Sequence, residues 1–166
     1  MHSSLSTARK LSVYRASVIT KLLYGLRIYV LRKVECNRID AFHARCLRQI
    51  LGVPHSMISH VPNTEVLEQA ADSPLSRQLL REQLILFGRI ASLTDESVLR
   101  NTIFQNGSCH PKLFEGVHRR GRPRNTWIGS VSTRALQIAG GQNNLTTVLS
   151  GPAAVQNWKR SVKQYL

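Results

Sequence analysis

Apolar residues recur at helical spacing along most of this 166-residue chain. The first periodic segment runs from about 6 to 26, where Leu11, Tyr14, Val18 and Leu22 repeat every three or four positions. Ser6 or Thr7 is placed to cap its start, and Gly25 to end it. Its second half, from Val18 to Tyr24, is apolar on several sides, which predicts deep burial. Residues 26–31 alternate enough to suggest a short strand or an extended link. A second helix follows from about Val34 to Leu51, stopped by Gly52-Val53-Pro54. Advancing ~100° per residue, Cys36, Ile39, Phe42, His43, Cys46, Leu47 and Ile50 share one broad face, so Phe42 and Leu47 are expected in the core. Arg38, Arg45 and Arg48 fall together on the other side.

Residues 55–62 read as a loop, after which Asn63 is expected to cap a short helix through Ala70. Ser73-Pro74 is a start signal for a helix reaching about Leu93, because proline suits the first helical position. Leu75, Leu79, Leu86 and Ile90 form its stripe, widened by Leu80, Leu84, Phe87 and Ala91. Thr94-Asp95 caps a shorter helix with Val98, Leu99 and Ile103. Periodicity lapses from Gln105 to Arg124 and returns with Trp127, Val131, Ala135 and Ile138. Gly140-Gly141 breaks that helix. A last one after Gly151-Pro152 carries Val155, Trp158, Val162 and Tyr165, flanked by Lys159, Arg160 and Lys163. The fold class is therefore mainly α.

Charge sharpens this picture. Lys and Arg number 23 against 9 Asp and Glu, a formal net charge of +14. Residues 1–60 hold 10 basic and 2 acidic side chains, and residues 112–166 hold 9 and 1. The stretch between is nearly neutral. Two basic regions point to a polyanionic partner, because phosphate contacts release counterions from nucleic acid. With 42% hydrophobic and 19% charged residues, the chain can form a core. No apolar run is long enough to span a bilayer, and the N-terminus has no signal-peptide core, so no membrane partner is expected. Three widely spaced cysteines suit a reducing, intracellular compartment better than a disulfide scaffold.

Catalytic and metal-binding patterns are thin. Cys36, His43 and Cys46 share a face but sit among core residues, and Cys109-His110 with His118 lacks paired-ligand spacing. No phosphate-cradling glycine loop, nucleophile elbow or His-Glu-x-x-His is present. Of the nine acids, only Asp95-Glu96 are adjacent, too few for two-metal phosphoryl transfer. The residues offer no catalytic set, no metal site and no cofactor site.

Arg119-Arg120-Gly121-Arg122-Pro123-Arg124 is the most informative short motif. Proline fixes its own φ and biases the preceding arginine away from helix, so the segment can lie extended. It is similar to an AT-hook, which inserts into the narrow minor groove of A·T-rich DNA. A plain basic linker is the other reading.

A longer pattern carries more. Lys10-Leu11-Ser12-Val13-Tyr14-Arg15-Ala16, Leu22-Leu23-Tyr24-Gly25, and Phe42-His43-Ala44-Arg45-Cys46-Leu47-Arg48-Gln49-Ile50-Leu51-Gly52 come first. Asn63-Thr64-Glu65-Val66-Leu67, Gly88-Arg89-Ile90 and Arg120-Gly121-Arg122-Pro123-Arg124-Asn125-Thr126-Trp127 follow. In order and approximate spacing, over about residues 5–130, this resembles the thumb and C-terminal region of non-LTR (LINE-type) retrotransposon reverse transcriptases. The resemblance implies a thumb-like helical region over 1–104, a basic linker over 105–125 and a helical tail over 126–166. It implies contact with RNA or DNA, tolerant of sequence, and a nuclear location. The aromatic-x-Asp-Asp palm motif is absent, and Mg²⁺ would belong to that palm; a truncated element copy or a gene-model fragment is the expectation. Residues expected to meet nucleic acid are Arg38, Arg45, Arg48, Arg119, Arg120, Arg122 and Arg124. Two alternatives stand beside this one: an AT-hook-like DNA-binding protein, and a helical interaction module that self-associates through exposed apolar faces.

Overall fold

The computed structural model describes residues 5–112, 125–151 and 153–166, and the chain is mainly helical. It divides into two compact units, one of residues 1–27 and 31–80, the other of residues 28–30 and 81–166.

In the first unit, α1 (Thr7–Tyr14) runs through a π-helical turn (Arg15–Ile19) into α2 (Thr20–Leu26). Ser6 occupies the cap position with extended backbone, but its side chain caps nothing. Thr20 N–H bonds the Arg15 carbonyl five residues back, and so does the Thr20 hydroxyl at 3.0 Å. Leu11, Tyr14, Ile19 and Leu23 enter the core, whereas Val18 and Tyr24 are exposed. The apolar run is thus not buried all round, since only one side meets the core. Gly25 lies within α2 rather than after it. No strand follows: residues 27–29 turn, and α3 (Lys33–Leu51) begins. Glu35 fixes that start, accepting from the Arg32 backbone N–H at 2.7 Å. Gly52 ends it at φ +73°, the left-handed conformation that glycine takes without strain.

Beyond α4 (Ser56–Ser59) and α5 (Asn63–Gln69) comes α6 (Leu75–Ala91). Asn63 does not cap α5. It sits inside the helix, and its side-chain oxygen instead accepts from Arg48. At α6 a neighbouring helix helps satisfy the first turn: Asp40 of α3 accepts from Ser76 N–H and from the Ser76 hydroxyl, both at 2.7 Å. Leu47, Val66, Ala70, Leu75 and Leu79 close this core with Leu11, Tyr14, Ile19 and Leu23.

The second unit gathers the rest of α6 with α7 (Val98–Ile103), α8 (Trp127–Ala139), α9 (Gln142–Leu149) and α10 (Ala154–Tyr165). Trp158 is its anchor, 1% exposed, donating from Nε1 to the Leu84 carbonyl at 2.6 Å. Phe87 lies between Trp158 and Phe104, whose ring it meets edge-on at 5.3 Å. Gly88 is required there, because a Cβ would stand 2.0 Å from the indole. Arg100 is buried by donating to the Ala91 and Ser108 carbonyls and pairing with Asp95 at 2.6 Å. Asp95 thus holds an arginine rather than capping α7, whose cap position is Ser97. Thr126 does cap α8, accepting from Gly129 N–H. The glycines 140 and 141 end α8 as expected, but α9 then forms at once, burying Leu145 and Leu149.

Candidate nucleic-acid interface

The three α3 arginines separate by their angle from the buried stripe. Measured from Leu47 at ~100° per residue, Arg38 and Arg45 lie about 180° and 160° away, and both are exposed. Arg45 makes no hydrogen bond or ion pair among the described residues, and Arg38 feels only Glu35, which Arg32 already holds at 2.8 Å. Arg48 lies about 100° from Leu47, on the flank of the core, and is 6% exposed. Its guanidinium is consumed inside the fold. It donates to the Val61 and Pro54 carbonyls and to the Asn63 side chain at 3.0 Å, pinning the 54–63 segment to α3. Arg48 is therefore a structural spoke, a correction to its expected place beside Arg38 and Arg45. Arg119, Arg120, Arg122 and Arg124, with most of the expected linker, lie outside the described residues.

Phe42 also departs from expectation. It sits about 140° from Leu47 and is 42% exposed, because α3 buries the arc through His43, Ala44, Leu47 and Arg48. Phe42 instead lines an open groove of about 650 Å³ between α3 and the π turn with α2. Val18, Leu22 and Ile39 form the rest of its apolar lining, and Lys21 and Arg38 stand within it as cations. Lys21 makes no ion pair or hydrogen bond among the described residues. Among the described residues, no acidic side chain lines the groove. Helical position places Arg38 and Arg45 away from the buried stripe; the groove depends on how α2 and α3 pack.

A partly buried polar cluster links α1 and α3 to the segment after α5. The Tyr14 hydroxyl and His43 Nδ1 share a hydrogen bond of 3.0 Å, and the rings stack with centroids 5.8 Å apart. The remaining His43 nitrogen faces Asp72 at 3.8 Å, while Asp72 accepts from Arg15 at 3.1 Å and from Gln78 at 2.8 Å. Burial holds the His43 imidazole below its ordinary pKa despite the opposing pull of Asp72 and Asp40. Burial, with Cys46 and Asp72 nearby, pushes the Tyr14 hydroxyl well up. Both groups therefore stay neutral across the physiological range. His43 is fully buried, whereas Arg15 at the rim of the cluster is partly exposed.

Among the described residues, no group of three or more His, Cys, Asp or Glu could hold a metal ion, and Cys36, His43 and Cys46 do not converge on one. No helix of the described residues is long and apolar enough to cross a membrane. Comparison with protein-family models, with curated proteins and with solved structures finds no match for this chain.

Proposed function

We propose that this chain corresponds to the thumb and C-terminal region of a non-LTR retrotransposon reverse transcriptase and contacts nucleic acid without base preference. The sequence pattern over residues 5–130 supports the family, and the net charge of +14 supports the partner. The observation that carries the reading is the pair Arg38 and Arg45, exposed on one side of α3 and free of ion pairs among the described residues. Lys21 from α2 joins them in the same unit. Exposed, uncompensated guanidinium groups displace counterions from a phosphate backbone, and they do so for any base sequence. Arg119, Arg120, Arg122 and Arg124 add to that charge from the linker. Polymerisation and its Mg²⁺ are assigned to the palm of such enzymes and to no residue here.

Salt titration tests this. Log affinity for duplex DNA should fall linearly with log salt, by ~0.9 per phosphate neutralised. Arg45→Ala should reduce that slope by about one unit and weaken A·T-rich and G·C-rich duplexes alike. Absent or salt-insensitive binding would refute the proposal. A strong A·T preference abolished by Arg122→Ala would favour the AT-hook reading instead.

A further inference from the structure

The groove beside α3 combines features that phosphate contact alone does not call for. Phe42 presents an aromatic surface to solvent, Val18, Leu22 and Ile39 make the surroundings apolar, and Lys21 and Arg38 supply positive charge with no acidic side chain among the described lining residues. Such a site selects a flat, apolar-faced group carried on an anionic chain. Size narrows the choice further. Seven of the described residues line the groove, whereas a stable protein–protein interface takes roughly 20–30 residues a side. A partner protein would leave most of its binding energy unaccounted for here; a single ring system would not.

We infer that this groove holds one unpaired base of a single-stranded nucleic acid, stacked on Phe42, with the flanking phosphates on Lys21 and Arg38. The inference rests on the nucleic-acid reading above and adds to it a preference for unpaired strands. A base in a duplex is stacked between its neighbours and shows only its edges, so it cannot lay a face on Phe42. An unpaired base can, and stacking tolerates any base because each has a π face. The π turn contributes by placing Val18 and the following residues along the groove.

The experiment is fluorescence anisotropy with a labelled oligothymidylate, an abasic strand of equal length and a duplex. Wild-type protein should bind the oligothymidylate more tightly than the abasic strand by roughly 5- to 150-fold, the range covered by one base–aromatic stack. Phe42→Leu should erase that difference and leave duplex affinity unchanged. Phe42→Trp should keep it, with indole emission quenched on addition of oligothymidylate but not of the abasic strand. Equal wild-type affinity for the two strands would overturn the inference while leaving the phosphate reading intact, and so would a difference that survives Phe42→Leu. No salt-sensitive binding to any of the three would bring down both. A dimer of the free protein that Phe42→Leu dissolves would assign the groove to a second copy and likewise overturn it.

Discussion

His43 shows how one buried side chain can set a pH limit on a fold. Its imidazole is held below the ordinary value of 6.5, chiefly by burial. The unfolded chain therefore takes up more protons in acid than the folded one. The contribution of His43 to stability is complete above about pH 6.5 and declines as pH falls below it. Tyr14 sets the opposite limit. Its hydroxyl is raised above the ordinary 10.0, so stability is lost as pH climbs past that value and the unfolded chain ionises first. Urea midpoints of wild type should drop between about pH 7.5 and pH 5, whereas His43→Gln should lose much of that dependence. An equal drop in the variant would show that other groups carry the acid response. The sequence places Tyr14 and His43 on apolar faces, but their pairing across 29 positions depends on how α1 and α3 pack.

On the scale of an element, α3 carries both structural and binding residues, and angle separates them. Leu47→Ala should cost about 2–5 kcal/mol, as expected for a wholly buried leucine. Phe42→Ala, although it removes the larger side chain, should cost less, because much of that ring already meets water. Arg48→Ala should cost about 1.5–3 kcal/mol through its lost charged hydrogen bonds and leave the salt slope of binding unchanged. Arg45→Ala should behave in reverse. Unfolding midpoints and salt titrations of the four variants check this order, and a stability loss for Arg45→Ala matching that of Arg48→Ala would contradict it. The bounds of α3 were legible because Gly52 and the apolar period mark them. The role of Arg48 was half legible: its 100° offset places it on the flank, but its carbonyl partners come from a loop without periodicity. Phe42 misled because seven candidate positions spread over more of the helix than one core can cover.

For the whole molecule, hydrophobic period identified most helices, and its failures are local. α9 follows Gly140 and Gly141 without an intervening loop, so glycines that end one helix hid the start of the next. The division into units was not legible at all. α6 reads as one amphipathic helix, yet it sends Leu75 and Leu79 into one core and Leu84, Phe87 and Ile90 among the buried residues of the other unit. A continuous stripe does not reveal which residues share a core. Nor does a tail far along the chain announce that Trp158 will bond the carbonyl of Leu84, 74 positions earlier.

The π turn has a consequence for insertions and deletions. In an unbroken α-helix Leu23 would stand about 120° away from Leu11, off the core that both enter. Counting one residue of the wide turn as extra leaves the two only about 20° apart. The turn thus works as a phase correction, absorbing one position so that the residues on either side face the same way. Removing the exposed Ala16 should convert it to ordinary helix and keep that alignment. Removing the exposed Ala41 from α3, which has no such slack, should swing half of that helix by about 100°. Circular dichroism melts should therefore show a cooperative transition for the first deletion and none for the second; loss of cooperativity in both would mean that the turn holds no spare residue.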